Sequence, residues 1–455
     1  MLIEINVEYC GSIDHHQVAG RGRGQTMAER LTTQQVAEQL GVKVETVYAY
    51  ASRGQLSSER APGGKGSTFD AREVAELAAR GRRAPLRPPG QASAGEPPAA
   101  GRSAADPWTT AAWPGGPVTV RTGLTLIENG RLHYRGRDAV QLAAEHGFEA
   151  AVAWLWGLGT DAPVSLQVPP ATAEALTRAA AALPAGIRLP DRLRISATVA
   201  AALDPLRFDL REQTVLAAGA ALIAGMVEAL PRTAPDPGPD ATLAARLWSR
   251  LATAAPTPEA LACLDRALVL LLDHELAVST VAARVAASAR AHPYAVVSAG
   301  LGATDGPLHG AASPLAHRML AEVLADGAVP VVSDYLRTGR AIPGLGHRLY
   351  PDGDPRAVAL LDAVARLDGG AVVVRAVAEV EAAAGPAGRP ALRANVDLAL
   401  AAMALAAGLP AEAGEVVFAV ARTPGWLAHA VEEYREEPLR MRARAGYTGP
   451  RPQQS

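Results

Sequence analysis

From about residue 116 to residue 435 the apolar side chains recur at helical spacing almost without interruption. A chain patterned this way folds into packed helices, each burying one stripe, and leaves little room for a sheet-based core. Composition agrees. Of 455 residues, 49% are hydrophobic but only 4% aromatic, so alanine and leucine must fill the interior. Both lose little free energy in a helix. The periodicity breaks at a short extended piece, 117–127, with a turn at Asn129-Gly130, and at a Pro-rich loop, 231–239. The most apolar stretch, VLAAGAALIAGMVEAL, is cut by Glu228 and reads as a buried helix. No run reaches the roughly 18 apolar residues of a membrane helix.

Residues 1–30 show no periodicity and read as a disordered leader. They lack the basic start and apolar block of a secretory signal, and Met27 is an alternative start. Residues 31–83 read as a compact unit: helix, tight turn at Gly41, helix. Thr32 with Gln35 has capping-box spacing, Val36, Ala37 and Leu40 form one apolar face, and Val47 begins another. SSERAPGGKGSTF reads as a hairpin wing turned at Gly63-Gly64, and Asp70 with Glu73 offers a second cap. Residues 84–115 are rich in Pro, Ala, Gly and Ser. Such a segment cannot bury enough apolar area to offset its ordering entropy, so it reads as a disordered linker. Two cysteines, Cys10 and Cys263, give no disulfide framework, which points to a reducing cytoplasm. A net charge of -2 means that any nucleic-acid contact must come from a local patch.

Three segments cluster polar residues where the helical pattern breaks. DHELAVSTVAARVAAS, 273–288, is expected to open a helix with His274 and Glu275; taken alone, such a histidine reads as structural. GATDGPLHGAASP, 302–314, sets His309 between Gly306-Pro307 and Gly310, where a backbone or ligand can approach closely. IPGLGHRLYPDGDPRA, 342–357, sets His347 after Pro343-Gly344 and Gly346, with Arg356 nine residues on. RANVDLALAAMAL, 393–405, then places Asp397 near the start of an Ala/Leu helix, where an isolated carboxylate commonly serves the helix N-terminus.

In this order and spacing these segments resemble the citrate synthase family. TVRTGLTLIENGRLHYRGRDAVQLAAEHGFEAAVAWLW resembles that family's opening hairpin and first helices, and FAVARTPGWLAHAVEEYREEPLRMRARAGYTGP its C-terminal signature. The resemblance spans about 116–450. It implies an all-α fold, with a large helical domain and a small one at about 311–408, inside a region running to 455. It also implies roles. Asp397 would take a proton from the carbon beside a thioester carbonyl, His309 would hydrogen-bond the enolate, and His347 would donate to the ketone of a 2-oxo acid. His274, Arg356, Arg422 and Arg442 would hold that acid, arginine's planar fork suiting a carboxylate. Arg442 would do so in the partner subunit's site, which implies a homodimer. Acetyl-CoA and oxaloacetate are the implied substrates, with no metal and no separate cofactor.

The residues alone ask for a similar set. Carbon-acid deprotonation needs a base, an enolate donor and an electrophile donor in one dry pocket. The chain departs from the family pattern in four places, one of them the region 157–190, which is shorter than usual. Leu398, Ala399, Leu400 and Ala401 replace an aromatic and a Ser-Gly, Asp352 replaces a lysine near the CoA phosphates, and Ser313 replaces an asparagine. The pocket beside the base is then less polar, which leaves propionyl-CoA, and so 2-methylcitrate, as an alternative.

Residues 31–83 resemble the winged helix-turn-helix of excisionases and mercury-resistance-type regulators. That implies Lys43, Glu45, Thr46 and Tyr48 facing a DNA major groove, with Arg53, Arg60 and Lys65 at phosphates. Eight Lys and Arg against six Asp and Glu give this stretch a net charge of +2, a weak footprint. A protein-contact module is the alternative. So is a regulator whose larger domain only senses a CoA ester or carboxylate, although a pure sensor would not need to keep the base.

Overall fold

The computed structural model describes residues 30–40, 42, 44, 47–48, 51, 56–60, 67–71, 73–74, 120–238, 240–385, 392–442 and 449. The leader, the linker, the Gly41 turn and the wing tip fall outside them. The chain divides into two compact units, Met1–Trp113 and Pro114–Ser455.

In the first unit, β1 (Arg30–Thr32) leads directly into α1 (Thr33–Leu40), followed by β2 (Ser58–Arg60) and β3 (Ser67–Asp70). The strands pair antiparallel in the order β1-β3-β2. The capping box forms. Thr32 N donates to Gln35 Oε1 at 2.9 Å, and Gln35 N donates to Thr32 Oγ1 at 3.4 Å. Val36, Val47, Leu56, Phe69 and Val74 make a small core. The Glu73 carboxylate accepts the Ser57 amide at 2.6 Å and hydroxyl at 2.9 Å.

The second unit opens with β4 (Thr125–Glu128), β5 (Arg131–Tyr134) and β6 (Arg137–Asp138), an antiparallel sheet. Both connections are two-residue turns at positive φ: Asn129 (51°) and Gly130 (72°), then Arg135 (47°) and Gly136 (82°). That geometry matches the twist of the strands it joins, and Asn-Gly adopts it readily.

Fifteen helices follow among the described residues. The first seven are α2 (Ala139–Glu145), α3 (Phe148–Leu155), α4 (Pro170–Ala181), α5 (Leu189–Leu203), α6 (Glu212–Glu228), α7 (Leu243–Leu251) and α8 (Pro258–Leu270). Next come α9 (Val278–Ser288), α10 (Pro293–Thr304), α11 (Ala312–Asp326) and α12 (Ala328–Arg337). The last four are α13 (Pro355–Val364), α14 (Gly370–Ala384), α15 (Val396–Ala406) and α16 (Ala413–Tyr434). Their starts follow local chemistry. Asp138, Thr242, Thr257, His292, Asp354 and Asn395 each accept a backbone N–H of the first turn with their side chains. None of the described helices is long and apolar enough to cross a membrane.

One expectation fails here. His274 and Glu275 do not open a helix, because α9 starts only at Val278. Glu275 takes φ 51°, outside the right-handed helical region, and its carboxylate accepts the Ile127 amide at 3.0 Å.

Helix α16 runs through the core, with α9 and α10 packed on it and on each other. Trp426 of α16 is fully buried against Gly300 of α10, where a β-carbon would stand 2.6 Å from the indole. Only glycine permits that approach. Helices α11 to α15 pack on one another, and α15 touches four of its neighbours in this region, among them α16.

Candidate active site

Three loops and three helices, among them α13 with Arg356, bring the candidate residues together. The stretch between α8 and α9 carries buried Asp273 and His274. The stretch between α10 and α11 carries His309, and that between α12 and α13 carries His347, Tyr350 and Asp354. Asp397 lies in the first turn of α15, and Arg422 is buried in α16.

His274 is the hub. Its Nε2 lies 3.0 Å from the Tyr350 hydroxyl, and its ring meets His347 edge-on at a centroid distance of 5.2 Å. The His347 ring tilts against Tyr350 at 4.9 Å, and the Arg356 guanidinium sits over Tyr350 at 5.6 Å. His309 Nε2 lies 2.7 Å from Ser279 Oγ, and both His309 and Arg422 pack on Phe418.

The His347 loop and α15 are tied together. Gly346 N donates to Arg393 O at 2.7 Å, Asn395 N to Gly344 O at 2.9 Å, and Asn395 Nδ2 to Gly346 O at 3.0 Å. Gly344 takes φ 78°, and a β-carbon there would stand 2.6 Å from Leu398 Cβ. Asp354 completes the joint. It caps α13, accepts Val396 N at 3.0 Å, and holds Arg356 by two parallel bonds of 3.0 and 2.8 Å.

Charge follows from burial. Desolvation lifts Asp397 to about 6, against the pull of the Arg356 cation; Asp354 adds to the rise and Arg422 opposes it. Desolvation, with Arg422, lowers His309 to about 4. His274 falls well below its usual value from desolvation, helped by Arg356 and Arg422. His347 is lowered by burial and Arg356. The ring nitrogens of His347 can be told apart. Leu349 N donates to Nδ1 at 3.1 Å, so the ring proton lies on Nε2. Burial also pushes Arg422 down to about 10, opposed chiefly by Asp273. Its Nε donates to Leu271 O at 2.7 Å, while Nη1 finds no partner among the described residues.

His274, His309, His347, Arg356, Asp397 and Arg422 therefore share one electrostatic neighbourhood. Arg442 does not join it. It is exposed, and among the described residues no side-chain contact links it to the group. Lys43, Glu45, Thr46 and Arg53 lie outside the described residues, as does the Arg60 side chain, and Tyr48 is exposed. The sequence reading missed Tyr350, Asp354, Asn395 and Ser279. Asp354 before Pro355, and Asn395 two residues before Asp397, carried a signal as helix caps.

Comparison with known proteins bears on the family and the fold. The family model described as citrate synthase, C-terminal domain, matches residues 115–444. Citrate synthase 2 of Bacillus subtilis is 34% identical over 205 residues, covering 43% of this chain and 53% of that protein. The citrate synthase of Haloferax volcanii is 36% identical over 190 residues, covering 41% and 49%. The chain thus spans about half the length of the curated relatives it matches. The crystal structure of citrate synthase from Thermotoga maritima superposes with a TM-score of 0.61 at 25% identity, over 75% of this chain and 96% of that one. From its helical fold, its ordered motifs and a family match across 115–444, the chain belongs to the citrate synthase family.

Proposed function

We propose that the second unit condenses acetyl-CoA with oxaloacetate and hydrolyses the thioester, giving citrate and CoA. The observation that carries this reading is a carboxylate poised at about 6, Asp397, set among two buried guanidinium groups and histidines that are neutral near pH 7. Asp397 accepts the proton from the acetyl methyl carbon. His309 hydrogen-bonds the thioester oxygen as it gains negative charge. If Ser279 donates to Nε2, the His309 proton stands on Nδ1. The enolate carbon attacks the oxaloacetate ketone while His347 Nε2–H supports the forming alkoxide. Water then cleaves the thioester and CoA leaves as the thiol. Arg422, whose Nη1 has no partner among the described residues, and Arg356 beyond its Asp354 pair bind the carboxylates.

Free thiol should appear from acetyl-CoA only with oxaloacetate, and Asp397→Ala should abolish it. No release across a panel of acyl-CoA and oxo-acid pairs sinks the reading and leaves ligand sensing. A propionyl donor is the second reading, favoured by the buried apolar run Leu398, Ala399, Leu400 and Ala401 beside the base. The ratio of kcat/KM for the two donors decides between them.

A second copy completes the site in this reading. Val278, Val281 and Val285 form an exposed apolar row on α9, and Arg442 is exposed on the segment after α16. Mixing inactive Asp397→Ala and Arg442→Ala chains should restore part of the activity; no recovery removes Arg442 from the partner's site. The first unit, with exposed Tyr48 beside buried Val47, binds DNA in this reading. Salt-sensitive binding to the DNA upstream of its own coding sequence should be lost on deleting residues 1–83.

A further inference from the structure

A chain of buried polar groups runs from the floor of the site to the C-terminal segment. Asp273, fully buried next to His274, accepts from Thr125 Oγ1 and lies 3.1 Å from His429 Nε2. The other ring nitrogen, Nδ1, lies 2.7 Å from Arg284 Nη1. A guanidinium only donates, so Nδ1 accepts and the ring proton lies on Nε2, aimed at Asp273. Arg284, also fully buried, donates through Nε to Glu433 at 3.0 Å and through Nη1 to Glu432 at 2.9 Å. Glu433 in turn takes a two-pronged contact from Arg440, at 2.8 and 2.6 Å. Arg440 lies two residues before Arg442, on a segment pinned by Leu439 N donating to Ser288 O at 2.8 Å.

Arg284 and Arg440 are paired with Glu432 and Glu433. His429 is the link between the two halves of the chain of polar groups. Without its Nε2–H, Asp273 keeps, among the described residues, the Thr125 hydroxyl alone, and it anchors less firmly the stretch whose Leu271 carbonyl, two residues earlier, accepts Arg422 Nε at 2.7 Å. Without its Nδ1, Arg284 loses an acceptor in a place where no water reaches it.

We infer that His429 is a positioning residue: by holding Asp273 on one side and Arg284 on the other, it fixes Arg422 to receive the oxo-acid carboxylate and joins that floor to the lock on the C-terminal segment. This deepens the condensation reading and rests on it. The role is in binding, so the effect belongs in KM for the oxo acid and not in turnover.

The test uses the full chain and three proteins: wild type, His429→Leu and His429→Gln. The glutamine amide can donate to Asp273 and accept from Arg284. His429→Leu should raise KM for oxaloacetate by about tenfold or more, with kcat and KM for acetyl-CoA within about threefold of wild type. His429→Gln should recover most of that loss. Oxaloacetate binding is measured in parallel by calorimetry, and Kd should shift as KM does. If His429→Leu does not fold, a folded His429→Gln with wild-type KM supports the inference, and one with KM raised as much as an Arg422→Lys control overturns it. An unchanged KM in His429→Leu, or a fall in kcat alone, also overturns it. Wild-type protein that binds oxaloacetate but releases no thiol refutes the condensation, and the Kd shift then decides the positioning role by itself. Wild-type protein that binds no oxaloacetate overturns both.

Discussion

The Asn395 side chain donates to the Gly346 carbonyl at 3.0 Å while its amide oxygen accepts Asp397 N at 3.0 Å. One amide therefore caps the helix of the proposed base and holds the loop of the proposed ketone donor. Asn395→Asp keeps the acceptor and sets an oxygen against the Gly346 carbonyl. Its expected outcome is a loss of about tenfold or more in kcat, with helix capping retained. Asn395→Ala should lose kcat and about 1 kcal/mol of stability. Thermal unfolding and thiol release on the same samples separate the two effects; wild-type activity in Asn395→Asp would break the link.

The Asp397 carboxyl, lifted to about 6, must be ionised to accept a proton. Activity is therefore full above that value and declines as pH falls through it. Log kcat/KM should drop by about one per pH unit on the acid side. His309, at about 4, stays neutral across this range and adds no limb there. An acid limb near the ordinary aspartate value of about 4 would contradict the burial argument.

Asp354 and Arg356 form a buried pair, and Asp354 also caps α13 and holds the start of α15. Asp354→Ala leaves a lone buried cation and should cost about 3–5 kcal/mol in urea unfolding. Burial works to raise the Asp354 carboxyl, but Arg356 outweighs it and holds it below its usual value. The stabilisation is thus present above the unfolded carboxyl's pKa and is lost as pH falls through the lower folded one. A variant as stable as wild type at pH 7 would show the pair to be dispensable.

Gly300→Ala drives a methyl group into the Trp426 indole at 2.6 Å. The expected cost is about 1–3 kcal/mol, with a lowered melting temperature. Gly302, on the same helix with nothing within 4 Å of its β position, is the control and should tolerate alanine.

Much of this was legible in residue order. The Asn129-Gly130 turn, the Thr32–Gln35 box and the buried α6 helix follow from local rules, and the structure carries each of them. His309 and His347 announced themselves by their glycine and proline neighbours, because those residues shape a loop by their own geometry. Asp273 and His429 did not, because their pairing spans 156 positions and leaves no local mark. The start of α9 was misread for a related reason. The Glu275 backbone is set by its contact with Ile127, far away in sequence, and no propensity records that. Arg356 was read as a carboxylate binder, yet two of its donors are already committed to Asp354.

Arg422 keeps a buried N–H for which no described residue supplies an acceptor. A fold that hides such a group is less stable than it would be with the acceptor in place. Any small anion that reaches it lifts the melting temperature in proportion to the logarithm of its concentration. The protein is thereby its own thermometer for site occupancy, and a melting curve can rank candidate acids before any reaction is assayed.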